Sequence, residues 1–170
     1  DIQDLMAKGV DILIVTPASP TALNPMLEKA YNAGIVVVVF NSNTSTDNVT
    51  AKLFINQWEC GRIGGEWLVK ALGGKGKVVA LSGLAGNSIS ELRFGGAKWV
   101  FDQNPGIEVI GRAYGNWAYD KGKVAMENLM SAHPQIDGIW SGGGAMTRGA
   151  IDAYQEAGRK LVPMTGEANN

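Results

Sequence analysis

Ile35-Val36-Val37-Val38-Val39-Phe40 is apolar at every position. Side chains alternate between the two faces of a strand, so a strand with no polar residue asks for burial on both faces. That is the condition of a parallel sheet with helices on either side. Comparable β-branched runs recur at 11–15, 77–82, 107–112, 137–141 and 160–164. Between them lie stretches with helical spacing: Leu23, Met26, Leu27, Ala30 and Tyr31 in one, Met146, Ala150, Ile151 and Tyr154 in another. Glycine turns at Gly73-Gly74-Lys75-Gly76 and Ala157-Gly158 punctuate helix to strand. Strand and helix alternating throughout predict an α/β fold, doubly wound about parallel sheets.

The run at 35–40 and the next long one at 77–82 are separated by more chain than any other neighbouring pair. A polar loop at 41–48, a short extended segment at 52–55 and a helix at 57–72 fill the interval. This spacing predicts a change of domain with a hinge at Ile55 and Asn56, dividing the chain into 1–55 and 56–170. The opening piece holds two long strands and at most two helices. Its first helix, at 1–8, has no strand before it to pack beside, so the piece does not complete a two-sided layer. The expectation is that sequence belonging to this piece precedes Asp1.

Composition narrows the function classes. A chain of 170 residues, 45% apolar, buries roughly 70% of the surface its unfolded form exposes, which excludes a linker or a disulfide miniprotein. Fifteen basic residues against sixteen acidic ones leave a net charge of −1, with no field to hold nucleic acid or an anionic membrane. The single cysteine, Cys60, has no internal partner. The longest apolar run, at 35–40, is far short of the ~20 residues that span a bilayer. A start at Asp1, with neither Met nor a secretion signal, reads as processed or truncated.

Ligands of open α/β sheets bind outside the carboxyl ends of the strands. The positions there are Thr16, then Asn41 and Ser42, the segment 83–93 with Arg93, Asn116 and Trp117, Gly142-Gly143-Gly144, and Gly166 with Glu167. Amide, hydroxyl, guanidinium and carboxylate groups together donate to and accept from hydroxyls, and an indole packs on the C–H face of a sugar; a polyol needs that mixture. Polar loop ends also serve their own backbone, so the set carries more weight than any member. Gly83-Leu84-Ala85-Gly86-Asn87-Ser88 lacks both the Lys-Ser/Thr ending of a phosphate loop and dinucleotide glycine spacing. The one histidine, His133, reads as a helix end rather than a base, Cys60 as a small packed hydrophobe, and Trp67, Trp99 and Trp140 as core. No Cys/His cluster or calcium loop suggests a metal. Arg93 reads equally as a surface ion pair and as a fork for ring oxygens.

These segments resemble the ribose-binding branch of the type I periplasmic solute-binding proteins. The likeness runs through Asp1-Ile2-Gln3-Asp4-Leu5, Gly9-Val10-Asp11-Ile12-Leu13-Ile14-Val15-Thr16-Pro17, Ala33-Gly34-Ile35, Gly61-Arg62-Ile63-Gly64-Gly65, the segment 83–88, Arg93 with Gly96, Ala132-His133-Pro134, and Met146 with Gly149-Ala150. The resemblance implies two α/β lobes joined by a hinge, with residues 1–55 part of the amino-terminal lobe and 56–170 most of the carboxy-terminal one. It implies capture of a monosaccharide or polyol, without chemistry, cofactor or metal, by a periplasmic monomer that serves an ABC transporter permease and has no nucleic-acid partner. Thr16, Asn41, Ser42, Arg93, Trp117 and Glu167 fall at ligand positions. Asn41 stands where Asp is usual, Ser42 where many members have Arg, and Glu167 where the family has Asp. Gly143 stands where related ribose binders have an Asn that reaches the ligand, so the pocket there is either larger or filled from elsewhere. The alternative is the effector domain of a LacI-type regulator, which shares the fold.

Overall fold

The computed structural model describes residues 1–166. The elements are α1 (Ile2–Ala7), β1 (Ile12–Val15), α2 (Asn24–Asn32), β2 (Val36–Phe40), β3 (Ala51–Leu53), α3 (Gln57–Ala71), β4 (Gly76–Ser82), α4 (Ser88–Asp102), β5 (Ile107–Tyr114), α5 (Tyr119–Ala132), β6 (Gly138–Ser141) and α6 (Gly144–Glu156). They form two compact units. Asp1–Ile55 with Gly86–Ile89 make the first, and Asn56–Ala85 with the residues from Ser90 on make the second.

In the first unit three parallel strands lie in the order β1-β2-β3. Leu13, Val37 and Val39 point to one face, where they meet Leu27 and Ala30 of α2 and Ile2 and Met6 of α1. The alternate residues Ile12, Ile14, Val36 and Phe40 point to the other face and are exposed. Asp1 caps α1 by accepting from the Gln3 amide at 2.7 Å.

The second unit has a parallel sheet in the order β5-β4-β6 with both faces covered. Val79 and Leu81 pack with Met126, Leu129, Met146 and Tyr154 from α5 and α6. Their neighbours Val78 and Ala80 pack on the opposite face with Leu68 of α3 and with Ala97 and Phe101 of α4. This is the doubly wound arrangement predicted from the strand pattern. The helices α3 and α4 approach until Gly61 touches the Arg93 backbone and Gly96 that of Trp58; a Cβ at either glycine would clash.

The structure corrects several local expectations. Residues 160–164 form no continuous strand; Met164 alone bridges to Ile139. Pro163 lacks an amide to donate, though its carbonyl accepts from the Ile139 amide at 2.9 Å. Trp67 and Trp99 are each 50% exposed, whereas Trp140 is buried. Trp99 leans on Trp58 at the helix surface, ring centres 5.7 Å apart. Cys60 is exposed rather than packed, because it lies beside the α3 face that Gly61 and Gly65 turn into the protein.

Candidate functional site

At the strand ends of the first unit the chain turns sharply. Asn41 follows β2 with φ +63°, a left-handed conformation that Asn tolerates better than most residues. Its amide donates to the Leu53 carbonyl at 2.8 Å, which continues the β2–β3 pairing beyond the strand. The turn sends Ser42 inward. That side chain is buried, with its hydroxyl 3.3 Å from the Ser88 hydroxyl. Thr16, just past β1, is exposed. The three residues thus differ in availability: Thr16 is open, Asn41 half-buried, and Ser42 held against Ser88.

The strand ends of the second unit bring Arg93 and Trp117 together. Arg93, on α4, is 6% exposed. Its Nε donates to Gln57 Oε1 at 2.7 Å and its Nη1 to the Gly142 carbonyl at 2.6 Å. The guanidinium carbon stands 5.5 Å from the centre of the Trp117 ring, within cation–π range. Arg93 is therefore a buried side chain rather than a surface one. Gln57 is itself buried at the first position of α3, a helix capped by Asn56 through the Glu59 amide at 3.1 Å. Sequence reading missed Gln57. The one available signal was a polar residue opening the helix that follows the short extended segment at 52–55.

Trp117 sits on an unusual turn. Asn116 and Trp117 both have left-handed backbones, φ +50° and +61°. The turn is tied to the sheet where the Gly115 amide donates to the Ser82 carbonyl at 2.8 Å and the Asn116 amide to the Gly83 carbonyl at 3.1 Å. The glycine loop after β6 is fixed equally firmly. Thr147 Oγ1 donates to the Gly143 carbonyl at 3.0 Å, and Thr165 Oγ1 accepts from the Ser141 amide at 2.7 Å. Neither threonine was singled out from the sequence: Thr165 anchors a loop 24 residues away in the chain, and Thr147 holds the carbonyl of Gly143 one helical turn before it. Glu167 lies outside the described residues.

A cavity of about 420 Å³ opens in the second unit, walled by Ile63, Trp67, Trp140 and Met164, with Arg93 and Ser141 among its polar groups. It shares Arg93 and Gly142 with the strand-end site but does not include Trp117. Among the described residues no three Cys, His, Asp or Glu side chains gather as a metal site, and no helix is long and apolar enough to cross a membrane.

The second unit is thus a doubly wound α/β unit, a parallel sheet with helices on both faces and with an arginine and an aromatic gathered at its carboxyl edge. The chain belongs to the periplasmic binding protein domain family, which it matches over residues 1–170. It is 32% identical over 166 residues to a xylitol-binding protein of Mycolicibacterium smegmatis, covering 97% of this chain and 48% of that protein. It is 26% identical over 169 residues to a ribose import binding protein of Bacillus subtilis, covering 99% and 55%. A solved structure, the fructose-binding periplasmic domain of a hybrid two-component system, matches with a TM-score of 0.94 at 29% identity, covering 99% of this chain and 57% of that one. The chain therefore spans about half the length of the relatives it matches.

Proposed function

We propose that this chain is the central part of the solute-binding receptor of a sugar ABC transporter, which captures a monosaccharide or polyol and delivers it to a membrane permease. In this reading residues 1–55 belong to an amino-terminal lobe and residues 56–170 make most of a carboxy-terminal one. The ligand is enclosed as the lobes close, because the full set of contacts exists only when both face it. The observation that carries the reading is the Arg93–Trp117 pair: a buried guanidinium held by Gln57 and Gly142, 5.5 Å from an indole ring centre, at the carboxyl edge of a parallel sheet. The fork donates to ring or hydroxyl oxygens while the indole packs against C–H groups. Thr16, Asn41 and Glu167 supply further hydroxyl contacts in this scheme. Ser42 contributes through its backbone, since its hydroxyl already faces Ser88. The receptor works in the periplasm, as a monomer, and performs no chemistry on its ligand.

Calorimetry of the full-length protein against D-ribose, xylitol, D-fructose and related pentoses, hexoses and polyols tests the proposal. Trp117→Ala is expected to cost about 1–3 kcal/mol of affinity. Arg93→Lys is expected to weaken binding as well, since an ammonium cannot reproduce the fork. No binding by any carbohydrate, or full affinity in both variants, overturns the reading. A signalling receptor is the second reading, favoured by the likeness to the periplasmic domain of a hybrid two-component system. The encoded sequence flanking this segment separates them: a cleavable signal peptide alone fits transport, a membrane span with a kinase domain fits a sensor, and a helix-turn-helix headpiece fits a LacI-type regulator.

A further inference from the structure

A glycine is retained either because the backbone needs a conformation that other residues resist, or because a neighbour occupies the space a side chain would take. Gly83 and Gly143 are of the second kind. Neither has a left-handed backbone, and Gly143 is extended, with φ −160° and ψ 138°, so any residue satisfies the local geometry. The space is what resists a side chain, closed at Gly83 and tight at Gly143. A Cβ on Gly83 would fall under 3.0 Å from Cε2, Cζ2 and Cδ2 of Trp117. A Cβ on Gly143 would stand 3.1 Å from Cε3 of the same indole and 3.2 Å from the Met146 methyl. The two glycines come from different loops, after β4 and after β6, and both abut the six-membered ring of Trp117.

From this geometry we propose that Gly83 and Gly143 are positioning residues for the Trp117 indole, fixing where the aromatic wall of the proposed carbohydrate site stands. The inference rests on the reading of Trp117 as a ligand contact, and it adds a cause for the glycine at 143. The side chain missing there is replaced in space by the indole and by Met146, so the pocket is filled from elsewhere rather than enlarged. The wall is consequently apolar, with the Arg93 guanidinium 5.5 Å from the ring centre as its polar neighbour. A ligand meets it with a C–H face rather than with a hydroxyl seeking an amide. The indole has no freedom to slide away, because its own backbone is pinned in a left-handed turn tied to Gly83 by the Asn116 amide. A methyl on Gly83 must then displace the ring or strain the turn.

A thermal double-mutant cycle in the full-length protein tests this without any ligand. Gly83→Ala is expected to lower Tm by about 5 °C or more in the wild-type background. In the Trp117→Ala background, where the ring is gone, it is expected to change Tm by less than about 1 °C. Gly143→Ala, with the looser contact, is the milder companion: it is expected to change the near-UV circular dichroism of the indole while keeping the fold. If Gly83→Ala fails to fold alone but folds together with Trp117→Ala, the proposal stands. Equal destabilisation in both backgrounds, failure to fold in both, or no effect in the wild type together with an unchanged near-UV spectrum for Gly143→Ala, overturns it. The binding reading is tested separately with D-ribose and xylitol. If Trp117→Ala leaves their affinities unchanged while the thermal cycle behaves as expected, the glycines still seat the indole, and only the ligand role of the wall fails.

Discussion

Ile14 in β1 is 69% exposed, while Val79 and Leu81 in β4 are fully buried. Their strands read alike: both are parallel, apolar and flanked by helices in sequence. In the second unit α3 and α4 cover one face of the sheet and α5 and α6 the other. In the first unit α1 and α2 cover one face only, which leaves Ile12, Ile14, Val36 and Phe40 exposed among the described residues. An apolar strand therefore records a demand for burial on both faces but does not say what meets it. Each fully buried side chain of this size is worth roughly 1.5–3 kcal/mol relative to an exposed one, so the second sheet carries most of the stability written into these strands.

The largest effect that tests this contrast is Leu81→Ala, which removes a fully buried side chain at the centre of the covered sheet. It is expected to cost about 2–5 kcal/mol in denaturant unfolding; a loss below about 1 kcal/mol would show the second core to be loosely packed. A smaller effect belongs to the opposite end of the same sheet. The Asp137 carboxylate accepts from the Lys77 amide at 2.8 Å, tying the start of β4 to the residue before β6. That hydrogen bond, first, and the one from Gln135 hold its pKa below the ordinary 3.8. A depressed carboxylate stabilises the fold above its unfolded-state value, and that stability is lost as pH falls through the lower folded-state value. Asp137→Asn is accordingly expected to flatten the pH dependence of Tm below about pH 4 and to leave the slope near neutrality unchanged. A slope below pH 4 identical to wild type would remove Asp137 as a contributor. The smallest effect is Ile14→Ser on the open face, expected to stay within about 0.5 kcal/mol in the 170-residue chain. A loss above about 1.5 kcal/mol there would mean that this face is covered in solution and would erase the contrast.

Much of the architecture was legible because it is written in short-range pattern. The runs that predict strands coincide with β1, β2, β4, β5 and β6 to within a residue or two, and β3 falls where a short extended segment was expected. The run at 160–164 was misread because apolar content marks a strand only if the backbone donates, and Pro163 does not. Trp67 and Trp99 were misplaced for a different reason. Aromatic residues on an amphipathic helix look the same whether they face the core or the rim, and it is the small residues Gly61, Gly65 and Ala97 that lie against neighbouring elements.

The candidate site divides along the same line. Polar residues after the strands were visible in the sequence, since the carboxyl edge of a parallel sheet is where loops converge. The buried state of Ser42 was not, because it depends on the left-handed Asn41 and on the distant Ser88. Nor were the partners of Arg93, which come from the start of α3 and the loop after β6.

By itself, then, the sequence determined the class of fold, the polar character of the strand ends and the family. Periodicity, turn chemistry and motif order are properties of neighbouring residues. Only the tertiary structure decided which apolar faces are covered, that Arg93 is buried between Gln57 and the Gly142 carbonyl, and what occupies the space beside the glycines at 83 and 143. Each of those depends on atoms brought together from separate loops and helices, and local pattern holds no record of the partner.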